Sequence, residues 1–249
     1  MPSLQQPKPR VGVIGLGRMG QALVTSLLAH DVPVWCHDIS DAAVTPVTAA
    51  GARAAASPRE LARECDLVIT FLPGPAQVTA AALDPERGVL AGLAPGALMA
   101  DMSTCGPETA ATVGAAFRAA GRRFVDCPVS RKAPDMTVLV GGAPGVLGDA
   151  AAVLESVSRT VIYCGFPGAG YATKLLNQHV KYAWHLASAE ALVLAGQLGL
   201  DPDVTASAIE QSSGGESGFS AAAKYFRGDE AGMLVHAPAS TIEKDMDLA

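Results

Sequence analysis

Charged and aromatic residues are scarce in this sequence of 249 residues: Asp, Glu, Lys and Arg make up 17 % of it, and Phe, Trp and Tyr only 5 %. The net charge is −6 and no basic run occurs, which argues against nucleic acid as a main partner. The five cysteines (Cys36, Cys65, Cys105, Cys127 and Cys164) stand singly and never form Cys-x-x-Cys. That pattern fits reduced, buried thiols in the cytoplasm better than a disulfide framework or a zinc site, so no metal is expected. Gly, Pro or a charge interrupts every apolar run before the roughly eighteen residues a membrane helix needs. The opening MPSLQQPKPR lacks the apolar core of a signal peptide. A soluble cytoplasmic protein with no membrane partner is expected. Apolar residues, by contrast, reach 49 %. A chain of this length can bury a large core as one large domain or two ordinary ones.

Short apolar runs at 11–14, 32–37, 67–72, 98–102, 124–127, 138–140 and 161–163 read as strands. Helical patterns lie between them, clearest at 21–29 and at 58–64, where Ser57 is placed to cap. This alternation predicts an α/β fold with a doubly wound, mostly parallel sheet. After Cys164 the pattern changes to helix alone, at 172–198, 204–211 and 220–226. The change puts a boundary near residue 165, giving domains 1–164 and 165–249.

The stretch GFPGAGYATKLLNQHVKYAWHLASAEALVLAGQLGL, residues 165–200, contains no proline after its opening. Its apolar positions (Leu176, Val180, Ala183, Leu186, Ala187, Leu192, Ala195) recur at three- and four-residue spacing, as on a helix. Lys174, Asn177, Gln178 and Lys181 fall on another face. A long helix joining two domains is expected, with this polar patch turned to the cleft between them.

Gly15, Gly17 and Gly20, with Leu16, Arg18 and Met19 between them, form Gly-x-Gly-x-x-Gly directly after a strand and at the start of a helix. The first glycine makes the tight turn, the second admits a pyrophosphate to the backbone, and the third packs helix on strand. The phosphates then meet N–H groups at the helix start. Asp38 follows at the end of the second strand, where a carboxylate holds the adenosine ribose hydroxyls. It would repel a 2′-phosphate, and Ile39 and Ser40 supply no cation. NAD is therefore expected as cofactor in preference to NADP.

These motifs, together with Phe71-Leu72-Pro73, Asp101-Met-Ser103-Thr104, Asp126-Cys-Pro-Val-Ser130, Gly168-Ala-Gly170 with Lys174 and Asn177, and Lys244-Asp245, resemble the β-hydroxyacid dehydrogenase family. That family includes 3-hydroxyisobutyrate dehydrogenase, tartronate semialdehyde reductase and, more distantly, 6-phosphogluconate dehydrogenase. The resemblance covers nearly the whole chain in family order. It implies an N-terminal Rossmann domain and an all-helical C-terminal domain led by a long interdomain helix. It also implies hydride transfer between a nicotinamide and a small β-hydroxy acid or its semialdehyde, with Lys174 as general acid/base. A free lysine titrates at about 10.4 and is a poor base at neutral pH, so the role calls for burial. Asn177 would orient the substrate oxygen, and Ser103 and Ser130 would hold the substrate's acid or shape the nicotinamide pocket. Phe71, Leu72, Pro73, Thr104 and Lys244 would border the cofactor. Ser103 also stands where a helix cap would, ahead of Pro107-Glu108.

Three departures from the family pattern stand out. Arg131-Lys132 replaces the two glycines that usually follow Pro-Val-Ser, and the loop before Val140-Gly141-Gly142 is shorter than usual. Arginine offers a planar fork for an anion, which suits a sulfonate or phosphonate head group; alternatively both cations face solvent. Gln178 replaces the second asparagine of the family's Asn-Asn pair. The chain also stops at Asp247-Leu-Ala249, about forty residues before family members usually end, so the second domain is expected to be short. Apolar helices left open in it would need cover, so a homodimer or homotetramer is expected. An imine reductase and a catalytically silent dinucleotide-binding protein are the competing readings; Lys174 counts against the former.

Overall fold

The computed structural model describes residues 8–212, Lys244 and Asp247. The helix expected at 220–226 and the motif residue Asp245 lie outside the described residues. Among those described, six strands pair in parallel: β1 (Val11–Ile14), β2 (Val34–His37), β3 (Arg53–Ala54), β4 (Leu67–Thr70), β5 (Leu98–Asp101) and β6 (Arg123–Asp126). Their order is β3-β2-β1-β4-β5-β6, so the winding reverses between β1 and β4. Helices α1 (Arg18–Ala29), α2 (Asp41–Ala49), α3 (Pro58–Glu64), α4 (Pro75–Leu83), α5 (Val89–Gly92) and α6 (Pro107–Ala119) make the crossovers. This is the doubly wound Rossmann sheet that the alternation predicts.

Each central strand is buried on both faces, which is why these strands read as continuous apolar runs. The period of two divides them between two cores. Val11, Val13, Ile69 and Ala100 pack with Leu23, Val24 and Leu27 of α1 on one face. Ile14, Val68 and Met99 pack with Leu61 of α3 and Phe117 of α6 on the other. Ser57 caps α3 as expected, its hydroxyl accepting from the Glu60 N–H at 3.2 Å. Ser103, in contrast, caps nothing: α6 begins at Pro107 behind Gly106.

The strands expected at 138–140 and 161–163 do not extend the main sheet. They are β8 (Thr137–Val140) and β9 (Thr160–Tyr163), which with β7 (Val129–Ser130) form a second sheet in the order β7-β8-β9. Only Cys127 and Pro128 separate β6 from β7, whereas a parallel neighbour needs a crossover of about a dozen residues. So β7 turns back as an antiparallel hairpin with β8, and β9 returns parallel to β8 after α7 (Ala150–Ser156).

Among the described residues no strand follows β9; the chain continues as α8 (Ala169–Gln197), 29 residues long, and α9 (Pro202–Glu210). Two compact units divide at Lys174/Leu175, ten residues later than the boundary expected at 164/165. The opening of α8 thus belongs to the N-terminal unit. In the C-terminal unit Leu192 of α8 packs with Ala206 of α9, whose first turn is capped by Asp201.

Burial along α8 runs against the periodicity. Leu176 is 68 % exposed, and Val180, Trp184 and Leu186 also lie open, while Lys174 (7 %) and Gln178 (6 %) are buried. Of the seven apolar positions read as a stripe, only Leu192 and Ala195 are buried. No helix among the described residues is long and apolar enough to cross a membrane.

A side chain at Gly20 would bring its Cβ to 2.0 Å from the Gly15 carbonyl oxygen, between α1 and the turn that feeds it. Gly20→Ala is therefore expected to cost about 1–3 kcal/mol of stability, read from urea unfolding. A cost near zero would show that α1 does not press on this turn.

Candidate active site

The glycine turn lies where the sheet order reverses, at the carboxyl end of β1 beside that of β4, the usual place for a ligand in an open α/β sheet. Gly15 has φ +90°, and a Cβ there would fall 2.1 Å from the Phe71 carbonyl oxygen just past β4. Gly15 and Gly20 are thus glycine for the protein's own packing. Gly17 is different: its φ is −66°, open to any residue, and an added Cβ meets nothing within 4 Å. Nothing in the described chain requires glycine there, so the open space is what a phosphate group needs. Helix α1 follows with no side-chain cap and no acid in its first turn, leaving its positive end to an anion. The residues present fit a dinucleotide.

Asp38 points its carboxylate at this turn, accepting from the Leu16 N–H at 2.6 Å and from the Ser40 N–H at 2.9 Å. A carboxylate has about four lone-pair sites, so both oxygens keep capacity for ribose hydroxyls. Phe71 and Leu72 are half-buried and Pro73 exposed, and all three follow the end of β4.

In-register pairing brings Ile14, Thr70, Asp101 and Asp126 into one row along the carboxyl edge. Asp101 is fully buried. Its Oδ1 accepts from the Thr70 hydroxyl and, at 2.7 Å, from the Ser103 hydroxyl, while its Oδ2 accepts from the Tyr171 phenol. Ser103 in turn accepts from the Leu72 N–H at 2.8 Å. Asp126 accepts from the Gly168 N–H at 2.8 Å and the Tyr171 N–H at 3.0 Å, capping α8 from across the sheet. Burial pushes both carboxyls above the ordinary carboxylate value, against the hydrogen bonds they accept. Burial and the nearby Asp101 push the Tyr171 phenol up as well, which keeps it a donor. Gly141 and Gly170 make room for this cluster: a Cβ on Gly141 would lie 2.0 Å from Asp126 Oδ1, and one on Gly170 2.8 Å from Asp126 Oδ2.

Lys174, one turn beyond Tyr171, is buried at the end of the N-terminal unit. Asn177 is exposed, its amide donating to Gln178 Oε1 at 3.3 Å; Gln178 is the buried amide and donates to the Tyr182 hydroxyl at 2.7 Å. Asn177 and Gln178 stand three and four positions after Lys174, and of the two amides Gln178 is the buried one. Ser103 is buried in the Asp101 network, Thr104 is half-buried after it, and Ser130 is half-buried on β7. Arg131 keeps the left-handed backbone that a glycine would favour, φ +64°, and its guanidinium pairs with Asp135 at 3.0 Å in the exposed hairpin. Lys132 is exposed beside it. Lys244 is helical and half-buried in the C-terminal unit. The sequence pattern did not mark Thr70 or Tyr171; the one available signal was an aromatic residue, rare in this chain, three positions before the lysine.

The fold, the reversal-point glycine turn and the strand-end Asp38 together define a dinucleotide-binding protein. The description "NAD binding domain of 6-phosphogluconate dehydrogenase" matches residues 10–165, and "NAD-binding of NADP-dependent 3-hydroxyisobutyrate dehydrogenase" matches residues 168–249. The chain belongs to the β-hydroxyacid dehydrogenase family. It is 35 % identical to an NAD-dependent L-serine dehydrogenase of Pseudomonas aeruginosa, over 83 % of this chain and 70 % of that protein. It is 32 % identical to the human mitochondrial 3-hydroxyisobutyrate dehydrogenase, of whose length it spans 63 %. A 3-hydroxyisobutyrate dehydrogenase structure from Salmonella typhimurium superposes with a TM-score of 0.82 at 29 % identity, covering 97 % of this chain and 85 % of that one. An imine reductase from Streptomyces aurantiacus, at 24 % identity and a TM-score of 0.71 over 89 % of this chain and 77 % of that one, shares the fold.

Two outcomes test this site. Gly17→Ala should leave the melting temperature almost unchanged yet weaken NAD binding by about tenfold or more in calorimetric titration; equal affinity would mean that no ligand uses the open space. The second concerns Asp101. Its folded value is raised, so the folded chain holds the proton to higher pH than the unfolded chain does. Stability is then lost as pH rises from the ordinary value of 3.8 towards the folded value. Asp101→Asn removes that loss, so the melting temperature of the variant minus that of wild type should grow as pH rises above about 4. A difference that stays flat or shrinks would contradict a raised value.

Proposed function

We propose that this chain is an NAD-preferring dehydrogenase, or in reverse a reductase, of small β-hydroxy acids or their semialdehydes, with Lys174 as the general acid/base. The burial of Lys174 carries this reading. Lysine is almost never fully buried without a partner and a reason, and here it follows directly on a helix start held by two buried carboxyl groups. When bound, the nicotinamide supplies a hydride acceptor at its C4. Gly15, Gly17 and Gly20 would take the pyrophosphate against the start of α1, and Asp38 would take the ribose hydroxyls and exclude a 2′-phosphate. The Lys174 amine removes the substrate hydroxyl proton as the C–H hydride departs, and returns it in reduction. Asn177 would orient the substrate oxygen, its amide held by the neighbouring Gln178.

The names of the relatives, an L-serine dehydrogenase and 3-hydroxyisobutyrate dehydrogenases, support a small hydroxy acid as substrate. Because Arg131 is engaged by Asp135 and retains a glycine-like φ, we assign its position to backbone shape, and we take the head group to be a plain carboxylate. The open Leu176, Val180 and Trp184 of α8 support a homodimer or homotetramer.

A panel of carboxylate, sulfonate and phosphonate alcohols, followed by reduced-nicotinamide absorbance with NAD and with NADP, tests the reading. The expected result is oxidation of a plain carboxylate with NAD, lost by about a thousandfold in Lys174→Ala with NAD binding kept, and changed by no more than about twofold in Arg131→Ala. Unchanged turnover in Lys174→Ala would remove the mechanism. A sulfonate or phosphonate preference that Arg131→Ala abolishes would transfer the head group to that arginine.

A further inference from the structure

We propose that Tyr171 is a positioning residue that locks Lys174 to the loop beyond β4, a role resting on the reading of Lys174 as acid/base. Its side chain and its backbone are fastened to different strands. The Tyr171 N–H donates to Asp126 at the end of β6, and the phenol donates to Asp101 at the end of β5. One bond alone would let the first turn of α8 rotate; two, separated by the length of a tyrosine side chain, hold that turn against both rotation and sliding. The Gly168 N–H on the other oxygen of Asp126 fixes the same turn from its start. Tyr171 is itself fully buried, so no water competes for its phenol.

The network does not end at Asp101. Through that carboxyl it reaches the Ser103 hydroxyl, and through the hydroxyl the backbone of Leu72. Leu72 follows Phe71, whose carbonyl lies where a Cβ on Gly15 would be. A continuous set of hydrogen bonds therefore links the wall of the glycine turn with the helical turn carrying Lys174. Residues three apart on a helix share a side, so the direction in which Lys174 leaves α8 follows from how Tyr171 is held. Proton transfer depends steeply on such placement, since an error of about 1 Å can cost about a hundredfold in rate. Thr70 adds a further hydroxyl to Asp101, which stiffens the acceptor itself.

Tyr171→Phe keeps the ring and removes only the bond to Asp101. With the substrate preferred in the panel, kcat should fall by about tenfold or more, while KM and NAD affinity stay within about twofold. A second readout needs no turnover: acetic anhydride labelling, with peptides counted by mass spectrometry. Labelling of Lys174 should rise by about fivefold in Tyr171→Phe, with the other lysines unchanged. Unchanged kcat with unchanged labelling would overturn the proposal, as would a rise shared equally by all lysines, which reports general loosening. Should Tyr171→Phe fail to fold, Asp101→Asn, which preserves side-chain shape, is judged by the same two readouts. If Lys174→Ala keeps its turnover, the acid/base reading fails, while the labelling still decides whether Tyr171 holds that lysine.

Discussion

The in-register pairing of the parallel strands is the constraint on which the site depends. Parallel strands all point one way, so their carboxyl ends and the loops leaving them collect along one edge. Here the register is even enough that Ile14, Thr70, Asp101 and Asp126 become consecutive neighbours on four strands. The glycine turn leaves this row at β1, and the hydrogen bonds that start α8 leave it at β5 and β6. A slip of one residue in any pair would turn each inward side chain to the opposite face and dissolve both arrangements.

Two carboxyl groups buried at that edge are costly unless every oxygen is bonded. The chain meets the requirement with hydroxyls for Asp101 and with helix N–H groups for Asp126. Asp126 also faces the positive end of α8, where a negative charge is favoured. Gly141 leaves the space that the Asp126 carboxylate fills, and Gly170 lies against both that carboxylate and the Leu139 carbonyl. The polar cluster so formed ties the start of α8 to the ends of β5 and β6. It explains why the compact N-terminal unit extends into α8 as far as Lys174.

Along α8 burial does not simply follow polarity. Lys174, Gln178 and Tyr182 are buried while Leu176, Val180 and Trp184 lie open. Partition between water and an apolar interior would choose the opposite phase. Leu175, Leu192 and Ala195 are buried on the same helix, so its covered positions mix polar and apolar side chains. Arg131, in the turn between β7 and β8, holds a left-handed conformation that costs a non-glycine residue about 1–2 kcal/mol.

What the sequence by itself determined was local: the buried strands from their apolar runs, the glycine turn and Asp38 from spacing along a few dozen residues, the Ser57 cap, and Lys174 as the lysine after a glycine-rich helix start. Neighbours along the chain are enough to specify these, because turn geometry and strand or helix period are short-range properties. Only the tertiary structure decided that β8 and β9 leave the main sheet, that Ser103 binds Asp101 in place of capping α6, that Gln178 and not Asn177 is buried, and that Tyr171 joins two carboxyl groups. Those outcomes rest on partners such as Asp126 and Asp101, 45 and 70 residues from Tyr171. Which atoms meet across such a separation is set by sheet register and helix rotation together, and no periodicity in the sequence records it.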